Sequence, residues 1–122
     1  VFHCAALSLV GESMKDPFRY IRDNVANSIN LSEAAVRAGC NKYVLSSTAA
    51  VFGTPDVVPI PEDAPTKPIN PYGDSKLMME RALAWAEGPL GLRSACLRYF
   101  NAAGADPKGR AGEHHDPETH LI

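Results

Sequence analysis

A chain of 122 residues with 45% apolar and 21% charged residues has the composition of an ordinary soluble globular domain, and nothing in it suggests disorder. A net charge of −2 excludes a general affinity for nucleic acid or for an anionic membrane. Cys4, Cys40 and Cys96 are odd in number, far apart and without a Cys-x-x-Cys pair, so neither a disulfide framework nor a thiolate zinc site is expected, and a reducing cytoplasm is the simplest home. No stretch approaches the roughly 18 apolar residues of a membrane span, and the first residues lack the zones of a signal peptide. The chain opens inside the apolar run Val1-Phe2-His3-Cys4-Ala5-Ala6 and stops at Leu121-Ile122 without a closing signal, so both ends are expected to be cuts through a longer polypeptide.

Residues 1–6 read as the tail of a buried strand leading into a polar turn region. Asp16-Pro17 is a helix start, a capping carboxylate followed by proline at the first helical position, and Phe18, Ile21, Val25 and Ile29 recur at helical spacing up to a stop at Gly39. Tyr43-Val44-Leu45 predicts a second strand, running into Ser46-Ser47-Thr48. The proline density of residues 53–71 forbids regular structure, and a loop of that length inside a compact domain is usually functional or disordered. Asn70-Pro71 starts the next helix by the same device as Asp16-Pro17, with Gly88-Pro89 expected to end it. Residues 93–99 predict a third strand, followed by a Gly- and Ala-rich loop from Asn101. Strand, helix, strand, helix, strand is the order of a parallel α/β sheet, in which ligands bind beyond the carboxyl ends of the strands. Residues 4–8, 46–48 and 99–101 converge there.

Tyr72 and Lys76 stand four residues apart at a helix start and share a face, so both can act on one ligand. Taken alone, Tyr-x-x-x-Lys is weak, and its bland reading is a half-buried tyrosine beside a solvated lysine. The setting adds weight: a strand that ends in hydroxyl residues, then a Pro-rich loop leading straight into Pro71-Tyr72-Gly73-Asp74-Ser75-Lys76. That order resembles the extended short-chain dehydrogenase/reductases, whose active site is a Ser or Thr at a strand end with Tyr and Lys on the following helix. The resemblance implies an α/β fold, here a partial Rossmann-like doubly wound parallel sheet with flanking helices, the central to C-terminal part of an NAD-binding domain. A phenol with a pKa of roughly 10 is a poor base near neutral pH, and a nearby cation lowers that value. Lys76 supplies one positive charge and an oxidised nicotinamide would supply another. Thr48 would hydrogen-bond the sugar hydroxyl or the developing carbonyl oxygen, with Ser47 as the competitor for that task.

Further segments narrow the resemblance to the UDP-glucose/UDP-galactose 4-epimerases. They are Val10-Gly11-Glu12-Ser13 with Asp16-Pro17 and Asp23-Asn24-Val25, then Arg98-Tyr99-Phe100-Asn101-Ala102-Ala103-Gly104-Ala105, then residues 112–122 with their Pro117-Glu118-Thr119-His120-Leu121-Ile122 ending. Carried over position by position, the resemblance implies that Thr48, Tyr72 and Lys76 are catalytic. It implies that Cys4, Ala5, Ala6, Leu7 and Ser8 line an NAD site, that Asn24 or Asp23 touches the cofactor or holds its ring environment, and that Phe100 lies near the nicotinamide. Thr48, Tyr72, Asn101, His120 and Leu121 would contact the UDP-sugar, so that residues from about 100 to 122 begin the sugar-nucleotide segments. Plain packing for residues 4–7, a backbone-satisfied Asn24 and a core Phe100 are the bland alternatives. The reaction implied is NAD-dependent C4 epimerisation of UDP-hexoses through a transient 4-keto sugar, by a protein that is a homodimer when complete.

Two departures stand out: Ser8 replaces a frequent lysine, and Phe52 stands where Val-Tyr-Gly is usual. His114, His115 and His120 with neighbouring acids do not meet zinc-ligand spacings, and no metal site is expected. The competing readings are a UDP-glucuronate epimerase or decarboxylase, a nucleotide-sugar dehydratase, or a non-catalytic binding fold. A dehydratase would carry an acidic residue after the strand-end threonine, where this chain has Ala49-Ala50.

Overall fold

The computed structural model describes residues 1–112 and residue 114. Three strands, β1 (Phe2–His3), β2 (Lys42–Thr48) and β3 (Arg93–Tyr99), form one parallel sheet in the order β1-β2-β3. Helices α1 (Val10–Lys15), α2 (Pro17–Ile21) and α3 (Asn27–Arg37) connect β1 to β2, and α4 (Pro71–Leu90) connects β2 to β3. The two strand-helix-strand crossovers are the arrangement the element order predicts.

The register fixes which residues meet. Leu45 pairs with Cys96 and Thr48 with Tyr99, while His3 pairs with Leu45, so alternate residues of all three strands share a face. On one face Tyr43 and Leu45 pack with Ala35 of α3, Met79 and Leu83 of α4, and Leu92. Burying each such large apolar side chain is worth roughly 1.5–3 kcal/mol, which makes this cluster the main support of the fold. His3 closes its edge, its ring edge-on to Tyr43 with Nδ1 2.7 Å from the Tyr43 hydroxyl. Among the described residues no helix covers the opposite face, and Phe2 there is 81% exposed.

Both helix starts are built as their sequence predicts. The Asp16 carboxylate accepts from Arg19 N at 3.2 Å, and the Asn70 side chain accepts from Gly73 N at 2.8 Å, each with proline at the next position. Three local expectations change. Residues 10–15, read as a turn region, form the short helix α1, whose first turn is held from outside: Leu9 N donates to the Tyr20 hydroxyl at 3.1 Å, and that hydroxyl donates to Glu12 at 2.6 Å. Between α2 and α3 the backbone widens into a π-helical turn, Arg22–Ala26, and the buried face is Tyr20, Asn24, Ser28 and Ala35 rather than the apolar series, of which Phe18 is 83% exposed. Finally, α4 runs through Gly88-Pro89 and ends at Gly91, whose φ of 63° is the left-handed conformation glycine adopts freely and whose N–H reaches Glu87 O.

Candidate functional site

The carboxyl ends of the three parallel strands place Cys4, Thr48 and Phe100 at one edge of the sheet, because each directly ends or follows its strand. A 3-10 turn, Ala49–Phe52, then folds against the first turn of α4. That approach depends on Gly73: a Cβ there would stand 2.7 Å from the Ala50 carbonyl oxygen. The absence of a side chain lets Tyr72 come up beside Thr48. At the other end of the turn Gly53 has φ 65°, and a Cβ on it would meet the Lys67 carbonyl oxygen at 2.0 Å. The Pro-rich loop folds back at that point.

Thr48, Tyr72 and Lys76 are brought together. Thr48 is buried and its Oγ1 accepts from Ala50 N at 3.1 Å. The Tyr72 phenol is pushed above the usual tyrosine range by burial, and the adjoining Thr48 hydroxyl acts against that by favouring the phenolate. The expected depression by Lys76 is not among the influences on the phenol in the chain by itself. Lys76 is buried and donates from Nζ to Ser46 O at 2.8 Å. Burial pulls its ammonium below the usual lysine value, with Cys4 acting in the opposite direction. An ammonium carries three protons, and this one makes one hydrogen bond among the described residues, so it has donors to offer a polar ligand at the strand ends.

Ser47 and Thr48 point to opposite sides of β2, as successive strand residues must. The Ser47 hydroxyl donates to Glu80, one helical turn beyond Lys76, and is thereby engaged away from Tyr72. Glu80 in turn holds Arg98 of β3 through Nε at 3.1 and 3.2 Å and Nη2 at 2.7 Å. The Arg98 guanidinium lies 4.9 Å from the centre of the Phe52 ring, so the phenylalanine at this position forms the floor of the ion pair.

Asn24 occupies the π-helical turn and is buried. Its Oδ1 accepts from Leu7 N at 2.9 Å, and its Nδ2 donates to Leu7 O at 3.0 Å and to Ser75 Oγ at 3.1 Å. Ser75 donates onward to Tyr72 O at 2.7 Å. One carboxamide therefore ties the loop after β1 to the helix that carries Tyr72 and Lys76. Asp23 faces outward, 3.8 Å from Arg19 Nε and 3.1 Å from Arg22 Nε. Cys4, Ala5, Ala6 and Ser8 are exposed along the strand-end loop and Leu7 is half-buried. Phe100 and Asn101 are exposed just past β3, and Phe100 lines a concavity with Ala49, Ala50, Gly53 and Ile60. His120 and Leu121 lie outside the described residues. Among the described residues no group of His, Cys, Asp or Glu is disposed to hold a metal.

Sequence reasoning did not single out Ser75, Glu80 or Arg98. The signal for Glu80 was present, since four residues after Lys76 puts it on the same face of α4. Ser75 and Arg98 show their roles only once the strand and helix are packed.

Known proteins resemble this chain along its whole length. The model of the NAD dependent epimerase/dehydratase family matches residues 1–121. A UDP-glucose 4-epimerase from Azospirillum brasilense is 57% identical over all 122 residues, which cover 35% of that protein, and one from Streptococcus mutans is 52% identical with 37% covered. The chain thus spans little more than a third of the length of these curated relatives. Among solved structures, the UDP-glucose 4-epimerase from Brucella ovis in complex with NAD superposes with a TM-score of 0.94 at 47% identity, over 99% of this chain and 37% of that one. With the strand-end Thr48, the Tyr72 and Lys76 pair and a family match along its length, the chain belongs to the NAD dependent epimerase/dehydratase family.

Proposed function

We propose that this chain is the catalytic part of a longer protein that interconverts UDP-glucose and UDP-galactose with tightly held NAD and no net consumption of it. The observation that carries this reading is the convergence of Thr48, the Tyr72 phenol and the buried Lys76 ammonium at the carboxyl ends of parallel strands. The similarity to UDP-glucose 4-epimerases over every residue of the chain supports it.

The residues fit a nicotinamide dinucleotide. The strand-end loop of Cys4, Ala5, Ala6, Leu7 and Ser8 presents an open, largely small-residue edge, and Asn24 fixes its backbone. Lys76 offers donors there, Phe100 lies at the same edge of the sheet, and of the pair Asp23 and Asn24 it is Asn24 that reaches the loop. NAD, when bound, would supply the reversible hydride acceptor that oxidation and re-reduction of the sugar require. Tyr72 holds and moves the proton of the 4-hydroxyl. Positive charge from the bound cofactor, added to that of Lys76, would favour the phenolate against the upward pull of burial. Thr48 orients the same hydroxyl, so that proton and hydride leave from one aligned carbon. Asn101, with His120 and Leu121 in the segment from about residue 100 onward, anchors the nucleotide while the 4-keto sugar turns over.

The complete protein would be a cytoplasmic homodimer with no nucleic-acid or membrane partner. In support, no helix among the described residues is long and apolar enough to cross a membrane. The helices beginning at Pro17 and Pro71 expose large apolar groups, Phe18 and Trp85 among them, of the kind a partner surface covers. Incubating the full-length protein with UDP-galactose and following UDP-glucose by chromatography tests the reaction. Accumulation of a 4-keto-6-deoxy sugar nucleotide, or of a pentose nucleotide from UDP-glucuronate, would replace this reading.

A further inference from the structure

Directly behind the candidate site, α4 grips the end of β2 twice. Lys76 holds the Ser46 carbonyl oxygen, and one turn later Glu80 accepts from the Ser47 hydroxyl. The next residue is Thr48. Glu80 is itself fixed, buried against Arg98, which sits opposite Ser47 in the register of β2 and β3 and lies over the Phe52 ring. A buried carboxylate held by a bidentate guanidinium and a hydroxyl is a rigid, directional anchor. Among the described residues no buried side-chain polar atom is left without a hydrogen bond, so the network is complete.

We propose that Glu80 is a positioning residue: through the Ser47 hydroxyl it locks the end of β2 to α4 and thereby sets how closely the Thr48 hydroxyl meets the Tyr72 phenol. The proposal rests on the catalytic reading of Thr48 and Tyr72. It assigns to the Ser47 hydroxyl an anchoring task in place of a chemical one. The group that acts on the Tyr72 phenol is the Thr48 hydroxyl from β2; Lys76, one turn on along the same helix, is turned to the Ser46 carbonyl oxygen, with Cys4 beside it at the end of β1. Of these, Thr48 is the one that the Ser47 bond moves.

The test uses the full-length protein loaded with NAD. Glu80→Gln leaves Arg98 facing a neutral partner and could unfold the chain, whereas Ser47→Ala cuts only the strand-to-helix bond and leaves the ion pair intact. Ionisation of Tyr72 is read as the phenolate absorbance difference between each protein and its own Tyr72→Phe counterpart, a readout that does not depend on turnover. Ser47→Ala is expected to raise the midpoint of that titration, because the phenolate loses its best-placed hydroxyl partner. It is also expected to lower kcat on the order of tenfold with little change in KM, and to add almost nothing on top of Thr48→Ala, since its effect runs through Thr48. An unchanged midpoint, or a loss that adds in full to that of Thr48→Ala, overturns the proposal. A shifted midpoint in a protein that turns over no UDP-hexose would instead overturn the epimerase reading and leave the anchoring role standing.

Discussion

At Tyr72, burial and hydrogen bonding pull the ionisation in opposite directions, and burial wins in the chain by itself. A phenol raised above its usual value is almost wholly protonated near neutral pH, so a working base there requires additional positive charge. Tyr72→Phe in the full-length protein should therefore lower turnover on the order of a hundredfold or more, with UDP-sugar affinity changed far less. Thr48→Ala should act in the same direction and less strongly. Lys76→Ala removes a cation, which destabilises the phenolate and raises the Tyr72 pKa. In the proposed mechanism the deprotonated phenol is the active form, so the rising limb of kcat against pH should move to higher pH. A Lys76→Ala profile that keeps its midpoint would remove the tuning role and leave Lys76 as a tether of Ser46. That Thr48 meets Tyr72 and that Lys76 reaches back to the end of β2 could be anticipated from residue type and spacing, and the catalytic roles proposed for them await these measurements. Asn24 could be read from the sequence only as a candidate neighbour of a cofactor; that both sides of its amide are taken up by Leu7 and Ser75 follows from packing.

The helix starts were equally plain, because Asp16-Pro17 and Asn70-Pro71 each combine a capping oxygen with a pre-set proline φ. The stop of α4 was not, because a proline in the last turn removes one hydrogen bond without preventing the helix from reaching Gly91. Helix α1 and the π-helical turn were invisible for a different reason. Their stabilising bonds come from Tyr20 and Asn24, which meet Leu9, Leu7 and Ser75 only in the folded chain. The element that most tightly couples fold to site is the contact of α4 with the 3-10 turn at Gly73. In Gly73→Ala the new methyl would have to push back the Ala50 backbone, at a cost of roughly 1–3 kcal/mol. Tyr72 and Thr48 would separate as the helix end or the turn gave way. Thermal unfolding should show the loss of stability, and kcat in the full-length protein should fall by more than the lost folded fraction explains. Unchanged melting and unchanged kcat would mean that the turn yields freely.

On the scale of the whole chain, the strand-helix alternation gave a parallel sheet correctly, but it does not say which face each crossover covers. The structure shows α3 and α4 on the side of Tyr43 and Leu45, with the side of Phe2 and Leu97 uncovered by any described helix. A doubly wound sheet needs apolar cover on both faces. Dinucleotide sites of this class also take the pyrophosphate on backbone amides at a glycine-rich loop that opens a helix, and among the described residues no glycine-rich loop opens a helix. Expressed alone, the 122 residues should therefore neither bind NAD at micromolar concentration nor epimerise. The open face should drive self-association, since β1 is only two residues long and shields little of the sheet beside it. Calorimetric titration with NAD and the solution mass from light scattering check both expectations in one preparation. A monodisperse monomer that binds NAD at micromolar concentration would show that Lys76, Asn24 and the loop from Cys4 to Ser8 hold the cofactor without a glycine-rich loop, and that the bare face needs no cover.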